Sequence, residues 1–241
     1  MRAALRAEWT KLRTVPDAAI ALPLIALLTA AVSIPAATAS SPDVVKSSLL
    51  GVQLGQAAVA VWAVHTLAGE YGTGLLRATF TALPRRLDVL LAKAALLLTG
   101  VLAAGVPAIV ASVLFAHAHA DGYPSLGSAA VLRAATGSVL YLCLMTLLAL
   151  GVAACVRSGV AATGIVLGVL YLTPAVLGMF HDPDWQRWIY RLSPSTAGAS
   201  IQSTVDLASL PIGPWAGLGV AAAWAFGLFG AGALILRACD V

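Results

Sequence analysis

Six apolar runs, each about as long as a bilayer-crossing helix, dominate this sequence. They fall roughly at 18–39, 48–69, 94–116, 133–156, 159–180 and 214–236, and none contains an aspartate or glutamate. About 20 apolar residues span the ~30 Å hydrocarbon core as a helix. A helix also pairs every backbone N–H and C=O internally, which lipid demands. Sixty per cent of the 241 residues are hydrophobic and 10% are charged, too little charge to cover a soluble domain of this length. The expectation is an all-α integral membrane protein with six transmembrane helices in a single domain over 1–241. Only Arg157 and Ser158 separate the fourth and fifth runs, which predicts a tight helical hairpin.

Orientation follows from the 14 Lys and Arg. Ten lie on the side shared by both termini, the 70–93 loop and the Arg157 turn; Lys46, Arg133, Arg187 and Arg191 lie on the other. The positive-inside rule then puts both termini and the 70–93 loop in the cytoplasm of a multi-pass cell-membrane protein. Charges lining the cytoplasmic headgroup boundary account for the pI of 9.2 without any nucleic-acid partner. Ala37-Thr38-Ala39 has the A-x-A form of a cleavage site. The region before it is long and the apolar run exceeds a typical signal-peptide core, so the first run reads as an uncleaved span. Cys143, Cys155 and Cys239 lie in spans or near the C-terminus and read as packing residues.

Residues 1–16 read as a short helix in the cytoplasmic interface, ended near Pro16. At helical spacing Leu5, Trp9 and Leu12 share a face, with Arg2, Arg6 and Arg13 beside it. A plain positive flank that sets topology is the competing reading. On the outer side, 181–213 carries Trp185, Trp188 and Tyr190 and then a small-residue stretch. It reads as short outer helices lying on, or re-entering, the outer leaflet and capping the spans. Gly51/Gly55, Gly164/Gly168 and Gly213/Gly217 are GxxxG pairs. Such pairs serve packing within one chain or between two.

The chain lacks the motifs of nucleotide and hydrolytic chemistry: no G-K-[ST], no H-E-x-x-H and no G-x-S-x-G. Without acids in the runs there is no carboxylate proton relay. His117, His119 and Asp121, with His181, Asp182 and Asp184 on the same side, are chemically fit to bind a metal. No fixed scaffold is evident for them, so a solvated loop without metal is expected. Gln53 and Gln56 share a face of the second run, either lining a path or bonding a neighbouring helix. Arg133, at the outer edge of the fourth run, is expected to snorkel outward. Pro23, Pro35, Pro107 and Pro174 can kink their spans.

In "EYGTGLLRATFTALPRRLDVLLAK", residues 70–93, Leu75, Leu76, Phe80 and Leu83 recur at roughly helical spacing around Arg77, and Pro84 opens a further helix. Together with "EWTKLRTV" at 8–15 and the six spans, this resembles the type-2 permease subunits of ATP-binding-cassette exporters, especially actinobacterial ones. The resemblance implies that 70–93 carries a coupling helix docking on a separate cytosolic ATPase subunit. Two permease copies or paralogues would pair around a path. Glu70, Tyr71, Gly74, Leu75, Arg77, Thr79 and Phe80 would sit in or beside the coupling contact, and Arg85, Arg86 and Lys93 would anchor the third span. Gln53, Gln56, Thr163, Tyr171 and Thr173 would face the path or the second permease. ATP and magnesium would be held by the partner, no cofactor by this chain, and the chain would not itself be an enzyme. The competing readings are a non-transporting immunity, scaffold or sensor subunit that holds an ATPase, and an intramembrane enzyme. The missing nucleophile–base pair weighs against the enzyme.

Overall fold

A helix that is apolar all round has no face for water, so lipid and neighbouring helices must share its surface. The computed structural model describes residues 2–14, 17–37, 41–72, 74, 81, 86–177, 179 and 182–238, and no strand occurs among them. Helix α1 is Arg2–Thr14, α2 Asp17–Ala37, α3 Val44–Ser47, α4 Val52–Gly72, α5 Arg86–His119 and α6 Ala129–Val156. The fifth run gives α7, Gly159–Leu167, a π-helical turn Gly168–Leu172, and α8, Thr173–Leu177. Helices α9 (Pro183–Leu192) and α10 (Pro194–Ala199) precede α11, Pro214–Ala238. Six helical stretches among the described residues are long and apolar enough to cross a membrane. The chain is an all-α, multi-pass membrane protein.

Helix α6 forms the centre, with α11, α4, α5 and α7 packed on it. Its Tyr141, Leu142, Met145, Leu148 and Leu150 are fully buried. Helices α2, α7 and α11 turn most of their surface outward, and Val160 on α7 is 88% exposed. The turn between α6 and α7 is as tight as the sequence demands. Arg157 adopts φ 58° and donates its backbone N–H to the Ala153 carbonyl, while Ser158 caps α7 through the Ala161 N–H.

One element differs from the sequence reading. The fifth span is not one continuous α-helix, because Pro174 has no N–H for the Leu170 carbonyl and its ring crowds that oxygen. The turn before it widens into the π form, a common answer to such a break. Thr173 Oγ1 donates to the Val169 carbonyl, and the Tyr171 hydroxyl donates to the Gln53 carbonyl on α4. Helix α1 turns Ala4, Glu8 and, half-buried, Lys11 to the protein, a face the sequence reading did not assign, and Trp9 outward.

Small residues set the closest approaches. A Cβ on Gly51 would lie 1.8 Å from the Thr29 carbonyl oxygen, and one on Gly55 2.2 Å from Thr29 Oγ1. The segment 194–202 is buried against α6 and α11, where a Cβ on Gly217 would lie 2.1 Å from the Ala197 oxygen. Gly164 and Gly168 meet nothing within 4 Å. The Gly51/Gly55 pair therefore works inside the chain, and the Gly164/Gly168 pair does not. Gly51→Ala should lower stability by about 1–3 kcal/mol through overpacking, whereas Gly164→Ala should leave it unchanged or raise it by up to about 1 kcal/mol through helix propensity. Thermal unfolding of the detergent-solubilised chain reads both, and equal effects would overturn the distinction.

Candidate functional site

Helix α1 carries a carboxylate at position 8 and an ammonium at position 11, neighbours on one helical face. Helix α4 brings Glu70 in its final turn, and α5 brings Lys93 two turns after its start. These four charges meet. Lys93 Nζ lies 2.6 Å from Glu8 Oε2, 3.0 Å from Glu70 Oε1 and 3.1 Å from the Thr66 carbonyl oxygen. An ammonium has three N–H donors, and all three are used. Lys11 Nζ lies 2.7 Å from Glu8 Oε1 and 2.8 Å from Glu70 Oε1. Glu8 and Lys93 are each 2% exposed.

Two carboxylates and two ammoniums leave the cluster neutral, which is the condition for hiding charges from water. Burial pushes the Glu8 carboxyl up, but the Lys93 charge and the hydrogen bonds from Lys11 and Lys93 outweigh it and hold the group below its ordinary value. Burial likewise pulls the Lys11 ammonium down, and its bonds to Glu70 and Glu8 outweigh that and hold it high. The one unmatched atom of the two carboxylates is Glu70 Oε2, buried without a hydrogen-bond partner.

The ends of the loop over 73–85 are thus fixed. Glu70 holds the incoming end, and on the outgoing side Arg86 Nη1 donates to the Leu236 carbonyl of α11 over 3.1 Å. Gly74 has φ +70°, a conformation glycine adopts freely, and no described residue lies within 4 Å of its missing Cβ. Tyr71 is half-buried, with its hydroxyl unpartnered and the Arg157 guanidinium among its neighbouring charges. Leu75, Arg77, Thr79, Phe80 and Arg85, placed by sequence in the coupling contact and the third-span anchor, lie outside the described residues. So do His181 and Cys239.

The residues expected along a path divide. Gln56 is fully buried; it donates to Gln53 Oε1 over 3.0 Å and accepts from the Tyr141 hydroxyl of α6. Tyr171 joins the same region through Gln53. Thr163 is half-buried with an unpartnered hydroxyl, and Thr173 is spent on the π-turn. Gln53, Gln56 and Tyr171 thus form a polar seam between helices, while Thr163 stands apart from it.

At the opposite end Asp43 ties the first loop to the segment after α10. Its carboxylate accepts from the Thr204 N–H (2.6 Å), the Thr204 hydroxyl (2.7 Å), the Val205 N–H (3.2 Å) and the Lys46 N–H (3.0 Å). Burial works against the charge there, and these four donors overcome it and depress the Asp43 pKa. Arg133 is half-buried and donates to the Ser203 carbonyl over 2.7 Å, so its guanidinium is held by protein. His117 packs edge-on against Tyr123 and His119 stacks on Phe115. Among the described residues no three His, Cys, Asp or Glu side chains converge as metal ligands.

Sequence reasoning missed three of these groups: Glu8 as a buried ion, Asp43, and Tyr141. The signal for Glu8 was present. It is the lone carboxylate of a basic helix, one turn from Ala4 and beside Lys11. No known family model matches the chain, and no curated protein is significantly similar to it.

Removing Lys93 while keeping its partners leaves two buried carboxylates with a single, partly exposed ammonium. Lys93→Met should cost about 3–5 kcal/mol, and Lys11→Met clearly less, because the Lys11 side chain is 25% exposed. The pH dependence has a definite sign. Glu8, depressed below its ordinary 4.5, adds stability above that value and loses it as pH falls through the folded-state pKa. Lys11, raised above 10.5, adds stability below that value and loses it as pH rises through its folded-state pKa. Melting temperature against pH should therefore show a neutral plateau, and Glu8→Gln should flatten its acid limb; an unchanged acid limb would refute the assignment.

Proposed function

We propose that the chain is the membrane-spanning permease subunit of an ATP-binding-cassette exporter of the type-2 class, driven by a separate cytosolic ATPase and paired with a second permease. One observation carries this reading. The two sequence segments that resemble such permeases, 8–15 and 70–93, are joined by a buried ion cluster through Glu8, Lys11, Glu70 and Lys93. Segments remote in sequence thereby act as one body at the root of the loop that would meet the ATPase. The lysine and arginine count supports placing this end in the cytoplasm of the cell membrane.

In this reading the ATPase subunits hold ATP and magnesium, and this chain holds neither. Their closure on ATP displaces the docked loop over 73–85. The loop cannot yield at its ends, because Glu70 is locked to Lys93 and Arg86 to α11. The displacement therefore passes into α1, α4, α5 and α11 together. A partner can bias the spans only by binding one of their arrangements better than another, and a stiff root makes that difference felt. The fifth span, with its π-turn and few buried residues, is the element free to rearrange.

Arg77→Glu with Phe80→Ala should uncouple the complex without unfolding it. The expected result is loss of ATP-driven transport and of ATPase stimulation in reconstituted vesicles, with the melting temperature kept. Survival of both activities would sink the docking assignment. Co-purification of an ATPase with no compound moved would instead favour a non-transporting scaffold.

A further inference from the structure

The inward face of α1 is accounted for by the ion cluster; among the described residues its outward face meets no side-chain partner from another element. Arg6, Trp9, Thr10 and Arg13 occupy that face, Arg6 and Arg13 exposed and Trp9 51% exposed. Arg6, Trp9 and Arg13 follow one another at i, i+3 and i+7, so they form a single ridge. We propose that this ridge binds the phosphate headgroups of anionic phospholipids, with Trp9 seated at the headgroup level between two arginines.

Three observations favour lipid over a soluble partner. Helix α1 ends at Thr14 and the first span-length helix begins at Asp17, three Cα–Cα steps or at most about 11 Å away. The Arg13 end of the ridge is thereby kept close to the start of α2, and Arg6 lies about two helical turns further along, while the bond from Lys93 to Glu8 holds that stretch against α5. The single carboxylate of α1, Glu8, faces inward and is neutralised by Lys93 and Lys11, so the helix puts no negative charge on the outward ridge. The side-chain chemistry also fits. Guanidinium forks donate two parallel N–H bonds to phosphate oxygens, and indole prefers the membrane–water boundary.

The site would therefore be electrostatic and selective for lipid charge. Each arginine near an anionic surface is worth about a fivefold enrichment. Since α1 is fixed to α4 and α5 through its other face, lipid bound on the ridge would hold the root of the 73–85 loop at the bilayer surface.

The test uses the full chain alone, in nanodiscs of phosphatidylcholine containing a minor fraction of brominated phosphatidylglycerol or, separately, brominated phosphatidylcholine. The Trp9 signal is the difference between the parent chain and Trp9→Phe. The expected result is that brominated phosphatidylglycerol quenches this signal several-fold more than brominated phosphatidylcholine at equal fraction. Arg6→Gln with Arg13→Gln should abolish the preference, and Arg6→Lys with Arg13→Lys should keep most of it. Both pairs are surface changes, and size-exclusion elution checks that the chain stays folded. Equal quenching by the two lipids, or a preference that survives the glutamine pair, overturns the proposal. No ATPase is present, so failure here leaves the exporter reading intact and its failure leaves this one intact.

Discussion

The Lys93 ammonium is the contact on which one end of this molecule depends. It is buried, it uses all three of its N–H donors, and from α5 it reaches two other helices: Glu8 of α1, and Glu70 and the Thr66 carbonyl of α4. An unpaired charge in such a place would cost several kcal/mol. No one of these helices can therefore move alone without exposing a charge or stranding one. The residues flanking 73–85 are held on one side by this root and on the other by Arg86, which donates to the Leu236 carbonyl of α11.

The opposite end is held by different chemistry. Asp43 gathers four hydrogen-bond donors, and Arg133 is joined to the Ser203 carbonyl. These bonds fasten the buried segment after α9 over the helix ends. Between the two ends the contacts are mostly small residues and apolar packing, with the Gln53–Gln56–Tyr141–Tyr171 seam, the Gly51 N–H to Ser33 hydroxyl bond and the Gln202 to Ser138 bond among the polar exceptions. The molecule is thus pinned at both ends and loosest along α7 and α8. There the buried stripe is only Ala162, Val166 and Leu170, and the helix already departs from regular hydrogen bonding.

The spans were legible because bilayer length and an acid-free apolar run leave few alternatives. The hairpin at Arg157 and the helix entering at 86 were legible for the same local reasons. The π-turn was not, although Pro174 was in plain view; whether a proline kinks, bulges or ends a helix depends on neighbours such as the Gln53 carbonyl, 118 residues from Tyr171. The apolar spacing of α1 speaks only for its outward side, where Trp9 lies, and says nothing of the face turned to the protein. The partner that buries Glu8 lies 85 residues away, so no local pattern around position 8 names it.

An apolar α1 would have been the simpler way to cover α4 and α5, and buried ion pairs are seldom better for stability than well-packed hydrophobic residues. Stability is therefore a poor reason for the cluster, and specificity a better one. Beside a bilayer, an apolar helix has a competing solvent: it can slide off its site into lipid at almost no cost, because the tails are as apolar as the protein. A face carrying Glu8 and Lys11 cannot. Lipid offers these charges nothing, and within the protein only one register sets Glu8 against Lys93 and Lys11 against Glu70. Putting charge inward makes the docked position of α1 the one place where Glu8 and Lys11 both find opposite charges; the proposed headgroup contact of the Arg6–Trp9–Arg13 ridge would satisfy its other face there as well.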